Sequence, residues 1–172
     1  LISQHADSLG APTAGENARV PNVSYNGSTQ AACPNTYIIS SRINWAPYYE
    51  YAIKAVMDGT AIDADWTGTL ATNSVVLTDL NTTVAAEGTA EAIAAATEKL
   101  EKGEIHVFDC STFTVKGEAL TSYKSDVDTD DAYTPDTEVV HDGYFSESEF
   151  RSAPYFDLQI DGITLLDTNF GG

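Results

Sequence analysis

The chain has 172 residues, room for one domain or for a portion of a larger protein. Its 8 Lys and Arg face 26 Asp and Glu, a formal net charge of −18 at pH 7. A field of that sign repels phosphate backbones and anionic lipid, which disfavours nucleic-acid and peripheral membrane binding.

Enough of the chain is apolar, 42% with 10% aromatic, for a folded core to form. No apolar run approaches the roughly 20 residues that span a bilayer. Cys33 and Cys110 are too few for a disulfide scaffold and lack the CxxC spacing of a zinc site. Two buried thiols are the expectation, with a single bond between them the alternative.

Leu1-Ile2-Ser3-Gln4 reads as the end of a buried strand, with no turn or cap before it. The single methionine is Met57 and no basic n-region opens the chain, so it reads as the C-terminal portion of a longer protein. Asp7 to Thr13 predicts a turn into a short helix. Val20 to Tyr25 reads as a second strand, closed by Asn26-Gly27, and Cys33-Pro34-Asn35 as a further turn. Tyr37-Ile38-Ile39-Ser40 follows as a third strand. Strand, helix and strand at this spacing predict a βαβ unit and a parallel sheet.

Trp45, Tyr48, Tyr49, Ala52, Ile53, Val56 and Met57 fall on one face of a helix of period 3.6. Asn44 is a candidate cap, Pro47 suits the first turn, and Gly59 stands where the C-terminal left-handed residue belongs. The stripe is expected in the core, except Trp45, whose first-turn position faces a cleft. Residues 66 to 80 read as β-like around Val75-Val76-Leu77. An alanine-rich helix is predicted from about Thr89 to Lys102, with a solvated charged face.

Beyond residue 104 the texture changes. Ile105 to Phe108 and Phe113 to Val115 read as strands, and Lys116-Gly117 turns a hairpin into Glu118-Ala119-Leu120. Residues 125 to 149 are densely acidic, and Phe156 to Ile160 meets Ile163 to Leu166 across Asp161-Gly162 as a predicted hairpin. The division expected is therefore 1–104 as an α/β part and 105–172 as a β-rich acidic extension.

Signatures of catalysis are missing: there is no GxSxG, HExxH, P-loop or GxGxxG. His5, His106 and His141 are scattered, so a non-enzyme without a cofactor is expected. Asp126, Asp128 and Asp130 alternate like half a calcium loop. Asp131 stands in place of the turn glycine, however, and Thr137 in place of the bidentate glutamate, so no metal is expected there. The densest candidate site is Ser40-Ser41-Arg42-Ile43-Asn44-Trp45, where a buried strand enters the strongest helix. The other strand ends offer Gln4-His5-Ala6-Asp7 and Tyr25-Asn26-Gly27. Polar groups gathered at the C-terminal ends of parallel strands are where α/β sheets bind small polar ligands. The competing reading is ordinary caps and turn residues.

Four segments, LISQHADS, VPNVSYNGS, YIISSRINWAPYYEYAIKAVMDGT and DWTGTLATNSVVLTDL, resemble in order and spacing the basic membrane protein (BMP) family. These are substrate-binding lipoproteins of ABC transporters, related to purine-nucleoside receptors. The tail, HVFDCSTFTVKGEAL through GYFSESEFRSAPYFDLQIDGITLL, resembles the extended C-terminus of one branch of that family.

The resemblance implies a type I periplasmic-binding-protein fold, of which this chain would be the C-terminal portion with a β-rich C-terminal extension. Residues 1 to about 36 would finish one lobe, Tyr37 to Asn44 would cross the hinge, and the Trp45 helix would belong to the other lobe. The ligand contacts implied are Gln4, His5, Asp7, Asn26, Ser41, Arg42, Asn44 and Trp45, around a nucleoside-like small molecule.

Two positions depart from the purine-binding members. The acid that holds ribose hydroxyls falls at Asn26, and the hinge lysine at Asn44, which removes charge-assisted hydrogen bonds. Trp45 or Tyr25 remains available to stack on a base. Implied partners are an ABC transporter permease and the upstream part of the same protein. The implied location is the extracellular face of the cell membrane, lipid-anchored, or the periplasm. The alternative is a surface structural or adhesion domain with a vestigial cleft; a glycan-active enzyme would rest on carboxylates alone.

Overall fold

The computed structural model describes residues 1–128, 130–147, 149–150 and 155–166. The chain divides into two compact units, Leu1–Lys102 and Gly103–Gly172. The architecture is mixed α/β, with one sheet that contains parallel strands and a set of small antiparallel ladders.

The first unit carries β1 (Ile2–Ser3), α1 (Gly10–Ala18), β2 (Asn22–Tyr25), β3 (Tyr37–Ile43), α2 (Ala46–Asp58), β4 (Val75–Leu77) and α3 (Thr89–Glu101). The sheet order is β1-β2-β3-β4, with β1, β2 and β3 parallel and β4 antiparallel to β3. Val23 pairs with Ile39, Tyr25 with Ser41, and Ser41 in turn with Leu77.

β1, α1 and β2 form the expected βαβ unit. Gly15 permits the close approach of α1, because a Cβ there would lie 3.2 Å from the Val20 carbonyl oxygen. The Glu16 carboxylate of α1 accepts Asn35 Nδ2 at 2.5 Å and Thr36 Oγ1 at 2.7 Å, tying the helix to the turn that enters β3. Those donors hold the Glu16 carboxyl below its usual range. The interior here is small and polar. Cys33, Tyr37, Asn22 and Ser40 are buried, and Asn22 Nδ2 donates to Thr36 Oγ1 at 3.1 Å. The buried Asn81 amide donates to the Pro34 and Tyr37 carbonyls at 3.1 and 2.9 Å.

α2 spans the periodic segment, with proline in its first turn and Gly59 at φ 68° closing it. The core assignment of its stripe is overturned. Ala55 alone is buried, while Tyr49, Ile53, Val56 and Met57 are 57%, 60%, 69% and 80% exposed. Periodicity fixes a helix and an apolar face but not what the face packs against. α3 likewise buries none of its residues. The β-like reading of 66 to 80 contracts to β4, since residues 70–73 form a turn that Thr69 and Thr72 close by mutual hydrogen bonds.

In the second unit, Cys110, Val139, Phe145 and Tyr155 form a buried cluster. Around it lie β5 (Thr114–Val115), β6 (Glu118–Ala119), β7 (Lys124–Ser125), β8 (Thr137–Glu138), β9 (Val140–His141) and β10 (Tyr144–Phe145), in three antiparallel pairs. Lys116-Gly117 turns β5 into β6 and Asp142-Gly143 turns β9 into β10, all four residues at positive φ as two-residue hairpins require.

Three predicted strands are absent here. Residues 105–108 form no ladder; the Phe108 carbonyl accepts Phe145 N at 2.9 Å, beside an isolated antiparallel bridge between Asp109 and Tyr144. The segments 156–160 and 163–166 form no hairpin either. The turn aspartate between them is held elsewhere: Asp161 accepts Thr114 Oγ1 at 2.6 Å and Gly117 N at 2.7 Å. The acidic stretch and the tail quoted for the family resemblance run partly through 129, 148 and 151–154, outside the described residues.

Candidate functional site

A hollow of about 280 Å³ opens at the C-terminal ends of β1 and β2. Gln4, Asp7 and Ser8 line it from the segment leaving β1, and Tyr25, Asn26 and Thr29 from the segment leaving β2. Each group has a local reason for its place. Gln4 Oε1 accepts Ala6 N at 3.0 Å, which bends the chain out of β1. Asn26 stands at φ 59°, the left-handed region that asparagine tolerates better than most residues, and so breaks β2. The Ser24 and Thr29 hydroxyls meet at 2.8 Å and hold the following loop against its own strand. The His5 ring stacks on Tyr25 with centroids 3.8 Å apart.

A second hollow of about 320 Å³ adjoins it, with Ser28 lining both. Its walls are Ser28 and Gln30 from the loop after β2, Arg42 from β3, and Leu77, Thr78 and Asp79 from the end of β4. Thr78 is fixed from two sides: its hydroxyl meets Tyr37 Oη at 2.6 Å and accepts Ser40 N at 3.0 Å.

The structure therefore brings Gln4, Asp7 and Asn26 together and places Arg42 in the neighbouring hollow. His5, Ser41, Asn44 and Trp45 line neither. Ser41 lies in the ladder between Tyr25 and Leu77. Both ends of the Asn44 amide are committed, Nδ2 donating to the Asn73 carbonyl at 2.9 Å and Oδ1 accepting Ala46 N at 3.3 Å. Trp45 is the residue preceding α2, 56% exposed and stacked on Tyr49 with centroids 6.2 Å apart. Sequence reasoning missed Ser8, Ser28, Thr29, Gln30, Thr78 and Asp79. The last two stand directly after a β-branched strand, the signal that located the other strand ends.

Both hollows are polar, and neither holds a nucleophile–base pair. Among the described residues no group of three or more His, Cys, Asp or Glu is arranged to hold a metal ion. In the acidic stretch Asp128 and Asp130 accept backbone N–H groups two residues on, at 2.9 and 2.7 Å, as turn-forming aspartates do. Among the described residues no helix is long and apolar enough to cross a membrane. No protein-family model matches the chain, and no curated protein matches it.

Proposed function

We propose that the chain is the solute-binding module of an ABC importer, related to the basic membrane protein family. In this reading its first unit belongs to a type I periplasmic-binding-protein fold. The observation that carries the proposal is the convergence of Gln4, Asp7, Tyr25 and Asn26 at the ends of two parallel strands around one hollow. Open parallel sheets bind small ligands in that location, with a few polar groups fixing orientation. The amide and carboxylate groups present there pair with the hydroxyls and ring nitrogens of a nucleoside-like solute, and Tyr25 supplies a ring face.

Binding is reversible closure around the solute, with no covalent step. The whole protein would be lipid-anchored on the outer face of the cell membrane, or periplasmic, and would deliver its solute to a permease. A second reading, a structural or adhesion domain on the same scaffold, draws on the uncovered apolar face of α2. A thermal-shift series with purine and pyrimidine nucleosides decides between them. A ligand that binds only the folded state raises Tm by mass action, by about 2.7 kcal/mol of added stability at 100 times Kd. A rise with a nucleoside supports the solute-binding reading, and no rise with any of them favours the structural one.

A further inference from the structure

Asn26 and Gly27 stand side by side in the wall of the first hollow. The pair turns the chain out of β2 with both residues at positive φ, 59° and 143°. Asn26 is exposed, and neither end of its side-chain amide has a hydrogen-bond partner among the described residues. The Gly27 N–H is free as well, and a Cβ placed on Gly27 would meet nothing within 4 Å. A side-chain amide carbon and a free backbone N–H one residue on, with no side chain to crowd the approach, are the two parts of a five-membered ring closure.

The other described asparagines each lack one of these conditions. Asn22 is buried and donates to Thr36 Oγ1. Asn35 Nδ2 is held by Glu16 at 2.5 Å, and the amides of Asn44 and Asn81 are committed at both ends. Asn17 lies inside α1 and is followed by alanine. Asn73 also has a positive φ, 58°, but the next N–H, of the buried Ser74, donates to the Thr69 carbonyl at 3.0 Å. Among the described residues, Asn26 alone joins an exposed, uncommitted amide to a free glycine N–H.

We propose that Asn26-Gly27 is a self-modification site, at which the asparagine converts to aspartyl and isoaspartyl residues through a cyclic imide. Gly27 N, on losing its proton, attacks Asn26 Cγ. The N–Cγ bond forms, the Cγ–Nδ2 bond breaks, and the amide nitrogen leaves as ammonia carrying that proton. Water then opens the ring. Its attack at Cγ gives aspartate; attack at the Asn26 backbone carbonyl gives isoaspartate, whose main chain runs through Cβ and Cγ. Either product puts a carboxylate where a neutral amide stood, in a hollow that Asp7 already lines. Isoaspartate also lengthens the wall backbone by one carbon. The only co-reactant is water, so the hollow carries a slow, irreversible change set by time and pH. Its effect on a solute rests on the solute-binding reading above.

The test ages the full chain at neutral and mildly alkaline pH, then maps it by trypsin digestion and tandem mass spectrometry. Arg19 and Arg42 bound the tryptic peptide that carries Asn22, Asn26 and Asn35, so two internal controls travel with the site. A gain of one mass unit should arise at Asn26 about tenfold or more faster than at either control. It should quicken as pH rises, with the isoaspartyl form predominating. Asn26→Gln, which would need a larger ring, and Gly27→Ala should each slow conversion about tenfold or more. The pH dependence of the native chain decides the matter if either variant fails to fold. Conversion spread equally over the three asparagines, independent of pH, or seen at Asn26 only in the urea-unfolded chain overturns the site. Anion exchange then separates the converted chain by its added charge. Its Kd for a ribonucleoside should be about tenfold weaker, because most of it carries the lengthened wall. Equal affinity of the two forms overturns the effect on the hollow. Failure of both forms to bind overturns the solute-binding reading and leaves the modification standing, since its mass readout needs no ligand.

Discussion

The His5 imidazole lies on the Tyr25 ring, centroids 3.8 Å apart and planes 17° from parallel, joining the end of β1 to the end of β2. One face of Tyr25 is thereby occupied, and Tyr25 also lines the 280 Å³ hollow. A heteroaromatic solute in that hollow meets Tyr25 as its aromatic wall. Tyr25→Ala should weaken nucleoside binding about tenfold, in line with the roughly 1–3 kcal/mol that base–aromatic stacking contributes. Trp45→Ala should leave it unchanged, since Trp45 lines neither hollow. Isothermal titration of the two variants with the same nucleoside checks the contrast.

Asn26 offers a second handle on the same site. Its φ of 59° suits aspartate as well as asparagine, so Asn26→Asp should fold normally. A carboxylate accepts hydrogen bonds from a hydroxyl pair about twice as strongly as a neutral amide. Asn26→Asp should therefore tighten binding of a ribonucleoside and leave the 2′-deoxy analogue unimproved. Equal gains for both sugars would show that Asn26 faces another part of the solute.

The α2 stripe predicts an unusual tolerance. A lysine placed in a packed core leaves an unpaired charge buried, at a cost of several kcal/mol. Val56 and Met57 are 69% and 80% exposed. Val56→Lys and Met57→Lys should each change stability by no more than about 0.5 kcal/mol, the usual range for surface substitutions. Urea unfolding followed by tryptophan fluorescence measures this, because Trp45 and Trp66 both lie in the first unit. A loss of several kcal/mol would place the stripe in a core.

Acid stability should depend on Glu138. Its carboxylate accepts Ser122 Oγ at 2.5 Å, Tyr123 N at 2.8 Å and Val140 N at 3.0 Å. Those donors, Ser122 first, depress its pKa to about 2 from an ordinary 4.5. A depressed folded-state pKa adds stability that is complete above about 4.5 and is lost as pH falls toward about 2. Glu138→Gln should cost on the order of 1 kcal/mol at neutral pH, a charged hydrogen-bond contribution reduced for a half-exposed group. The difference from the native chain should vanish near pH 2. Acid unfolding followed by the near-ultraviolet circular dichroism of tyrosine gives both curves.

The parallel β1-β2-β3 frame was legible because its strands are β-branched or aromatic runs bounded by Gly, Asn and Pro. α2 was legible from its period. Failures came wherever a distant partner outbid a local signal. Ile105 to Phe108 has the texture of a strand, yet Phe108 stacks on Phe156 at 4.5 Å and its carbonyl is held by Phe145 N. Asp161-Gly162 is a sound hairpin turn locally, but the aspartate is held by the turn between β5 and β6.

The site divides in the same way. Gln4, Asp7 and Asn26 follow parallel strands, whose ends point to one edge of the sheet, and that much is readable from order alone. Arg42 enters a different hollow because β4 runs antiparallel beside β3, bringing Thr78 and Asp79 alongside it. No local signal in Val75-Val76-Leu77 reveals that pairing.

The account is tested most directly by mapping a bound nucleoside onto the backbone amides with ¹⁵N-resolved NMR. Saturation should move the amides of Gln4, Asp7, Asn26 and Thr29 together, with those of α3 unmoved. Shifts confined to the exposed face of α2, or spread evenly with no focus at the ends of β1 and β2, would contradict a solute cleft at that edge of the sheet.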